Sequence, residues 1–223
     1  MNKILCFDVS NNSCSVAISE GQKILYFEEE RRPSMQAEKL MVIIERALHT
    51  LSINYNDLDY LAVTTGPGSF TGIRIGLAVA KGILYASNLK PIAINNFESA
   101  YYRLKMQVQD YDSAFIVLNA YRNQMYVQEF MKNSAPNKPI LVNNLDLIEL
   151  LKTKNGRVIC TGSGMPLVYP YLQEQNNLTI LPRFPTIRAI HISRLADDKI
   201  KQGETTKPFE PLYIRPPDAV VPK

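Results

Sequence analysis

The residues best able to do chemistry lie in one run, Thr64-Thr65-Gly66-Pro67-Gly68-Ser69-Phe70-Thr71-Gly72-Ile73-Arg74-Ile75-Gly76-Leu77-Ala78-Val79-Ala80-Lys81-Gly82. A glycine-rich loop between a strand and a helix can turn its backbone amides toward a phosphate. The GK[ST] ending of a nucleoside-triphosphate loop is missing, and Gly66, Gly68 and Gly72 give GxGxxxG, one residue longer than the dinucleotide fingerprint. A tight turn followed by a helix cap therefore stands beside the phosphate reading. The other reactive side chains are scattered. Cys6, Cys14 and Cys160 are odd in number and form no CxxC, which argues against a disulfide framework and a thiolate metal site and fits a reducing cytoplasm. Cys6 sits in an apolar run and reads as core. His49 and His191, the two histidines of the chain, fall on separate helices without ligand spacing and read as helix-surface residues, so no metal is expected.

The helix that follows the glycine loop says more than the loop. Gly72, Gly76 and Ala80 recur every four residues on one face, flanked by Ile73, Leu77 and Leu84 on one side and by Ile75, Val79 and Ile83 on the other. Glycine inside a helix costs ~1 kcal/mol relative to alanine, so this row of small residues implies close approach by another backbone. Arg74 and Lys81 are the helix's charges and share one narrow stripe. A helix this apolar must be covered on two sides. One cover is its own sheet, and periodicity leaves open whether the other is a second lobe or a separate chain.

The elements that position this helix can be read from the rest of the chain. Ile4–Val9, Cys14–Ser19 and Lys23–Glu29 are β-prone runs separated by turn residues, an antiparallel meander. Between Pro33 and Ser52, Ala37, Leu40, Met41, Ile44, Ala47, Leu48 and Leu51 keep helical spacing, with Ser34 as the expected N-cap. Leu58–Thr64, a helix over 69–86 and Pro91–Ile94 make a strand, helix, strand unit, hence parallel pairing. A helix follows at Phe97–Val108. The pattern restarts near residue 110 with strands at Ala114–Leu118 and Gln124–Met131, a helix at Leu145–Leu151 and a strand at Val158–Cys160. A last helix is expected at Ile187–Ile200, after Pro182 and Pro185, and before a tail holding Pro208, Pro211, Pro216, Pro217 and Pro222. A meander, then alternating helices and strands, then a reduced echo, suggests a duplicated α/β fold.

Composition sets the outer bounds. The chain has 223 residues, 46% hydrophobic and 21% charged, enough for a buried core without disulfides or metals. Its 25 basic and 21 acidic residues leave a net charge of +4 and no long basic run, which makes direct grip on nucleic acid by this chain alone an unfavoured reading. The first eight residues reach Asp8 before a signal-length apolar stretch accumulates, and no membrane association is expected.

The run from Thr64 through Gly76, with Ala80-Lys81-Gly82, resembles nearly letter for letter the signature of the bacterial tRNA threonylcarbamoyladenosine biosynthesis family TsaB, also called YeaZ. Asp8-Val9-Ser10, Gly162-Ser163-Gly164 and Pro211-Leu212-Tyr213-Ile214-Arg215 with Ala219 extend the likeness over almost the whole chain. The resemblance implies an α/β, actin-like ATPase fold of the ASKHA, ribonuclease-H-like type, duplicated into two lobes. The expected lobes are 1–108, joined by a C-terminal helix within 186–203, and 109–185, with a proline-rich tail at 204–223. It further implies a noncatalytic, cytoplasmic scaffold that binds and activates a catalytic TsaD-type subunit, joined by a TsaE-type ATPase and reaching tRNA through the complex. The resemblance implies no intrinsic cofactor and leaves open whether the chain alone is a homodimer or a monomer and whether ATP or ADP binds at the subunit boundary. The catalytic paralogue binds metal through His-x-x-x-His after this helix, whereas Asn96 and Ala100 stand there in this chain.

The expected partner interface is the small face and its flanks, Gly72, Ile73, Gly76, Leu77, Ala80 and Ile83, so Gly76→Leu should weaken partner binding while leaving the isolated chain folded. The alternative is an actin-like ATP-binding and hydrolysing enzyme with Asp8, Ser10, Gly66, Gly68, Gly162 and Gly164 facing the nucleotide. Thr161-Gly162-Ser163-Gly164 lacks the carboxylate usual in such a loop. Asn119, Tyr121 and Gln124 replace charged residues of the family, and Gln36 replaces a common histidine, which weakens any ionic role for those positions.

Overall fold

A computed structural model describes residues 1–11, 13–32, 34–181, 187–204 and 209–215. Strands β1 (Lys3–Asp8), β2 (Cys14–Glu20) and β3 (Lys23–Glu30) form the antiparallel meander. Helix α1 (Gln36–Leu51) leads to β4 (Tyr60–Thr64), helix α2 (Phe70–Tyr85) to β5 (Lys90–Ile94), and helix α3 (Asn96–Gln107) follows. The first sheet has the order β3-β2-β1-β4-β5, with β4 parallel to both β1 and β5.

Ser34 does not cap α1. Met35 occupies the cap position without a side-chain bond, and Ser34 lies in left-handed backbone at φ 65°. Helix α1 starts at Gln36, whose Nε2 donates to the Asn11 carbonyl at 2.8 Å.

The second sheet repeats the first. Strands β6 (Ser113–Asn119), β7 (Gln124–Met131) and β8 (Ile140–Asn143) form a meander, helix α4 (Asn144–Lys152) leads to β9 (Val158–Thr161), and a short helix α5 (Met165–Val168) precedes β10 (Leu178–Leu181). The order β10-β9-β6-β7-β8, with β9 parallel to both β6 and β10, is the first sheet's order with every strand advanced by five. The duplication is therefore complete in its strands. Four-residue β8 and β10 and the single turn of α5 are too short to show a period in the sequence. Helix α6 (Ala189–Lys201) returns to the first sheet.

Two compact units result, one of Met1–Arg103 with Thr186–Pro211 and one of Leu104–Pro185 with Leu212–Lys223. The divide falls inside α3. In the first unit the period-two alternation of a strand sorts β1 onto two faces. Leu5 and Phe7 meet α1 and α2 through Leu40, Ile43, Ile44, Ile73 and Leu77. Ile4 and Cys6 meet α6 through Ile192 and Ala196. Both faces are covered, so β1 reads as a continuous apolar run. Phe209, in the stretch expected to be tail, is buried in the first of these cores. Pro182, Pro185, Pro208, Pro216, Pro217, Ala219 and Pro222 lie outside the described residues. Among the described residues no helix is long and apolar enough to cross a membrane.

Candidate functional site

Asp8 ends β1 fully buried. Its Oδ1 accepts from Ser10 Oγ at 2.5 Å, from Ser10 N at 3.2 Å and from Thr64 Oγ1 at 2.5 Å. Asn96, at the start of α3, donates from Nδ2 to Ser10 Oγ at 2.7 Å and to the Pro67 carbonyl at 2.8 Å. This network ties the end of β1, the glycine loop and α3 together. Burial pushes the Asp8 carboxyl above its ordinary value, against the lowering effect of the bonds from Ser10 and Thr64. Asn96 and Ala100 are both buried. Among the described residues no three His, Cys, Asp or Glu side chains gather as a metal set.

The glycine loop is closed onto β1. Ser69 N donates to the Ser10 carbonyl at 2.7 Å, and a Cβ on Gly68 would lie 2.3 Å from that same oxygen. Asp8, Ser10 and Gly66, expected to face a nucleotide, are all buried. Ser69 caps α2 by accepting from Gly72 N at 3.2 Å. The turn and cap reading of the run prevails here.

The second unit repeats the device. Gly162, at φ +132°, and Gly164 follow β9 as Gly66 and Gly68 follow β4. A Cβ on Gly162 would meet the Val117 carbonyl at 1.9 Å, and one on Gly164 would meet Met125 Sδ at 2.5 Å. Gly164 N donates to the Val117 carbonyl at 3.0 Å. These glycines pack against their own unit's β6 and β7. Asn119 N donates to Ser163 Oγ at 3.1 Å, Asn119 Oδ1 accepts from Tyr121 N at 2.8 Å, and Gln124 accepts from Arg215. The neutral residues at these positions thus serve the β6–β7 turn and its anchoring.

The small face of α2 is an internal face. A Cβ on Gly72 would lie 2.0 Å from the Val9 carbonyl and one on Gly76 2.7 Å from Val9 Cγ2, while Ala80 is fully buried. A backbone does approach closely, as the spacing required, but it is this chain's own, at Val9 just after β1. Ile73, Leu77 and Ile83 belong to the same core at 2%, 5% and 7% exposure. Of the expected interface set, Gly72, Ile73, Gly76, Leu77 and Ala80 are buried within the unit, while Ile83 packs in the same core and also lines an outer groove. Gly76→Leu would disrupt the chain before it could report on any partner.

The outer face of α2 has the opposite character. Met41 of α1, Tyr55, and Val79, Gly82, Ile83 and Ala86 of α2 and its end line an apolar groove of about 330 Å³. A Cβ on Gly82 would meet nothing within 4 Å. Arg74, in the first half of α2, is stacked 3.7 Å over Phe70. The signal that could have separated the two faces was in the sequence: Gly82 falls outside the 72, 76, 80 row.

The region 35–153, just over half of the chain, matches the family model of TsaD, tRNA N6-adenosine threonylcarbamoyltransferase. The chain is 28% identical over 133 residues, 59% of its length, to the tRNA threonylcarbamoyladenosine biosynthesis protein TsaB of Haemophilus influenzae. The chain belongs to this family, on its TsaB/YeaZ side. That match spans 55% of the Haemophilus protein, and an alignment with TsaB of Escherichia coli, at 24% identity, covers 96% of this chain and 94% of that one. Among solved structures, YeaZ from Pseudomonas aeruginosa superposes with a TM-score of 0.77 at 19% identity, covering 96% of this chain and all of the other. The fold is accordingly the actin-like, duplicated α/β fold of the TsaB/YeaZ family.

Proposed function

We propose that this chain serves tRNA threonylcarbamoyladenosine biosynthesis as a noncatalytic subunit, binding and stabilising a catalytic TsaD-type subunit through the groove between α1 and α2. The observation that carries the reading is Gly82. It sits on the exposed face of an apolar helix, open on its outer side, beside a groove lined by Met41, Tyr55, Val79, Ile83 and Ala86. Helix glycine costs stability, and this one has no internal packing reason to be glycine, unlike Gly72 and Gly76. A helix laid into an apolar groove needs such a flat place. The TsaD family model covers α1 and α2, so a TsaD-type protein carries related helices to present in return.

The chain contributes contact energy rather than chemistry in this role, holding its partner in the competent arrangement by binding that state more tightly. Support for the noncatalytic part comes from Asn96, whose amide is committed to Ser10 and Pro67 where a metal-binding imidazole would be needed. Any ATP or ADP belongs at the boundary with the catalytic subunit, since both glycine loops are closed on their own strands. A TsaE-type ATPase joins the pair, and tRNA is reached through the assembly.

Gly82→Leu tests the reading. The side chain has room in the isolated chain but fills the place where the partner helix would lie, so affinity for the TsaD-type subunit should fall at least tenfold, or ~1.4 kcal/mol. A folded variant that binds the partner as tightly as the parent would remove the groove from the interface.

A further inference from the structure

We propose that the turn joining β6 to β7 is a binding site for an unpaired nucleobase and its phosphate, with the Tyr121 ring as the stacking surface. Five non-glycine residues among those described have positive φ, and three of the five are consecutive: Tyr121, Arg122 and Asn123, at 58°, 54° and 56°. Left-handed backbone suits glycine and asparagine, and hairpin turns that need it normally use them. Asn123 conforms, whereas Tyr121 and Arg122 do not. Packing does not account for the tyrosine, which is 59% exposed. A strained backbone that carries an aromatic ring into water breaks a local rule without a gain inside the fold, and strain of this kind gathers at ligand sites.

The turn is braced from several sides. Asn119 Oδ1 accepts from Tyr121 N at 2.8 Å, and Asn119 N donates to Ser163 Oγ at 3.1 Å. Ala120 N donates to the Gln124 carbonyl at 2.9 Å and Gln124 N to the Tyr121 carbonyl at 3.0 Å. Asn144 N, at the start of α4, donates to the Asn123 carbonyl at 3.2 Å, and the Gln124 side chain accepts from Arg215. These contacts fix the strained shape before any ligand arrives, which spares the cost of ordering it on binding. Three successive exposed residues then offer an aromatic face, a guanidinium and an amide. Any base stacks on an aromatic ring, a guanidinium recognises phosphate, and an amide can both donate to and accept from a base edge. Asp146, the acid in the first turn of α4, is already engaged by Asn143 Nδ2 at 2.7 Å, and Arg215 adds a second guanidinium on Gln124. A protein surface is the competing occupant, since Leu145 is 72% exposed next to Asn144. The amides favour the base: Asn119 and Asn123 lie in the turn, Asn143 pairs with Gln124 and Asn144 bonds to Asn123. All of these residues belong to the second unit, so the inference does not rest on the groove between α1 and α2.

The chain labelled with carbon-13 in its tyrosines is titrated with a single-stranded oligoribonucleotide and, separately, with adenosine 5′-monophosphate. Tyr121→Phe assigns the Tyr121 signals among the 12 tyrosines. Stacking puts the ring protons in the ring current of the base, so an upfield move of the Tyr121 signals is expected. Response to the oligonucleotide at far lower concentration than to the mononucleotide assigns the site to a strand, and equal response assigns it to a free nucleotide. Tyr121→Ala should weaken binding at least about fivefold, and Tyr121→Phe, which keeps the ring, should not. Tyr121→Gly separates binding from folding: it relieves the left-handed backbone, so its melting temperature should match or exceed the parent's while binding is lost. Tyr121 signals unmoved by either probe up to its solubility limit overturn the proposal. So does a Tyr121→Gly variant that melts below the parent, because the ring would then serve the fold. Unchanged nucleotide binding by Tyr121→Ala, with weaker affinity for a TsaD-type subunit, would make the turn a protein contact and overturn it as well.

Discussion

Burial raises the Asp8 carboxyl, so its effect on stability has the opposite sign to that of a surface acid. A group whose folded pKa lies above its unfolded one favours folding at low pH, and that advantage is lost as pH rises through the folded value. Asp8→Asn keeps an acceptor for Ser10 and Thr64 and removes the charge. Its melting temperature relative to the parent should therefore be higher at pH 7 than at pH 4, as differential scanning calorimetry at the two pH values would reveal. Asp8→Ala strands both hydroxyls and should cost about 1 to 3 kcal/mol at either pH. His191 runs the other way. With its folded pKa pushed down to about 4 against an unfolded value of about 6.5, the unfolded chain takes up the proton first. Stability attributable to His191 is full above about pH 6.5 and falls as pH drops toward 4. His191→Gln should flatten that part of the stability profile in urea titrations.

Helix α2 presents two glycine sites whose variants should diverge. Gly76→Leu would drive a side chain into Phe7 of β1 and the adjoining Val9 and should cost about 3 kcal/mol or more, the upper end of core overpacking, seen as loss of the cooperative melt. Gly82→Leu fills open space and should gain roughly 0.5 to 1 kcal/mol of helix propensity, a rise of about 2 to 4 °C per kcal/mol for a chain of this size. Equal melting temperatures for the two variants would show that the inner and outer faces are not distinguished in this way. The spacing of Gly72, Gly76 and Ala80 made the close approach legible in the sequence. It could not say whose backbone approaches, because a strand of the same chain and a helix of another one demand the same absence of side chains.

At the scale of the whole molecule, the repeated strand order and the repeated glycine clamp make the two units variations on one plan. In both, the loop after the fourth strand closes over the end of the first, at Ser10 in one unit and Val117 in the other. The purified chain should therefore show negligible ATP turnover in a coupled assay, and turnover abolished by Asp8→Ala would contradict this. Gly162→Val, which sets a branched side chain against the Val117 carbonyl, should lower hydrogen-exchange protection first in β6 and β9. The discontinuity of the first unit has a temporal side as well. During synthesis the stretch Leu104–Pro185 emerges as one uninterrupted piece, whereas the face formed by Ile4, Cys6, Ala17, Ala62, Ile92 and Ile94 waits for α6. The first strand made is thus among the last to be covered, and a nascent chain stalled short of residue 189 offers that apolar sheet face to chaperones or to other nascent chains.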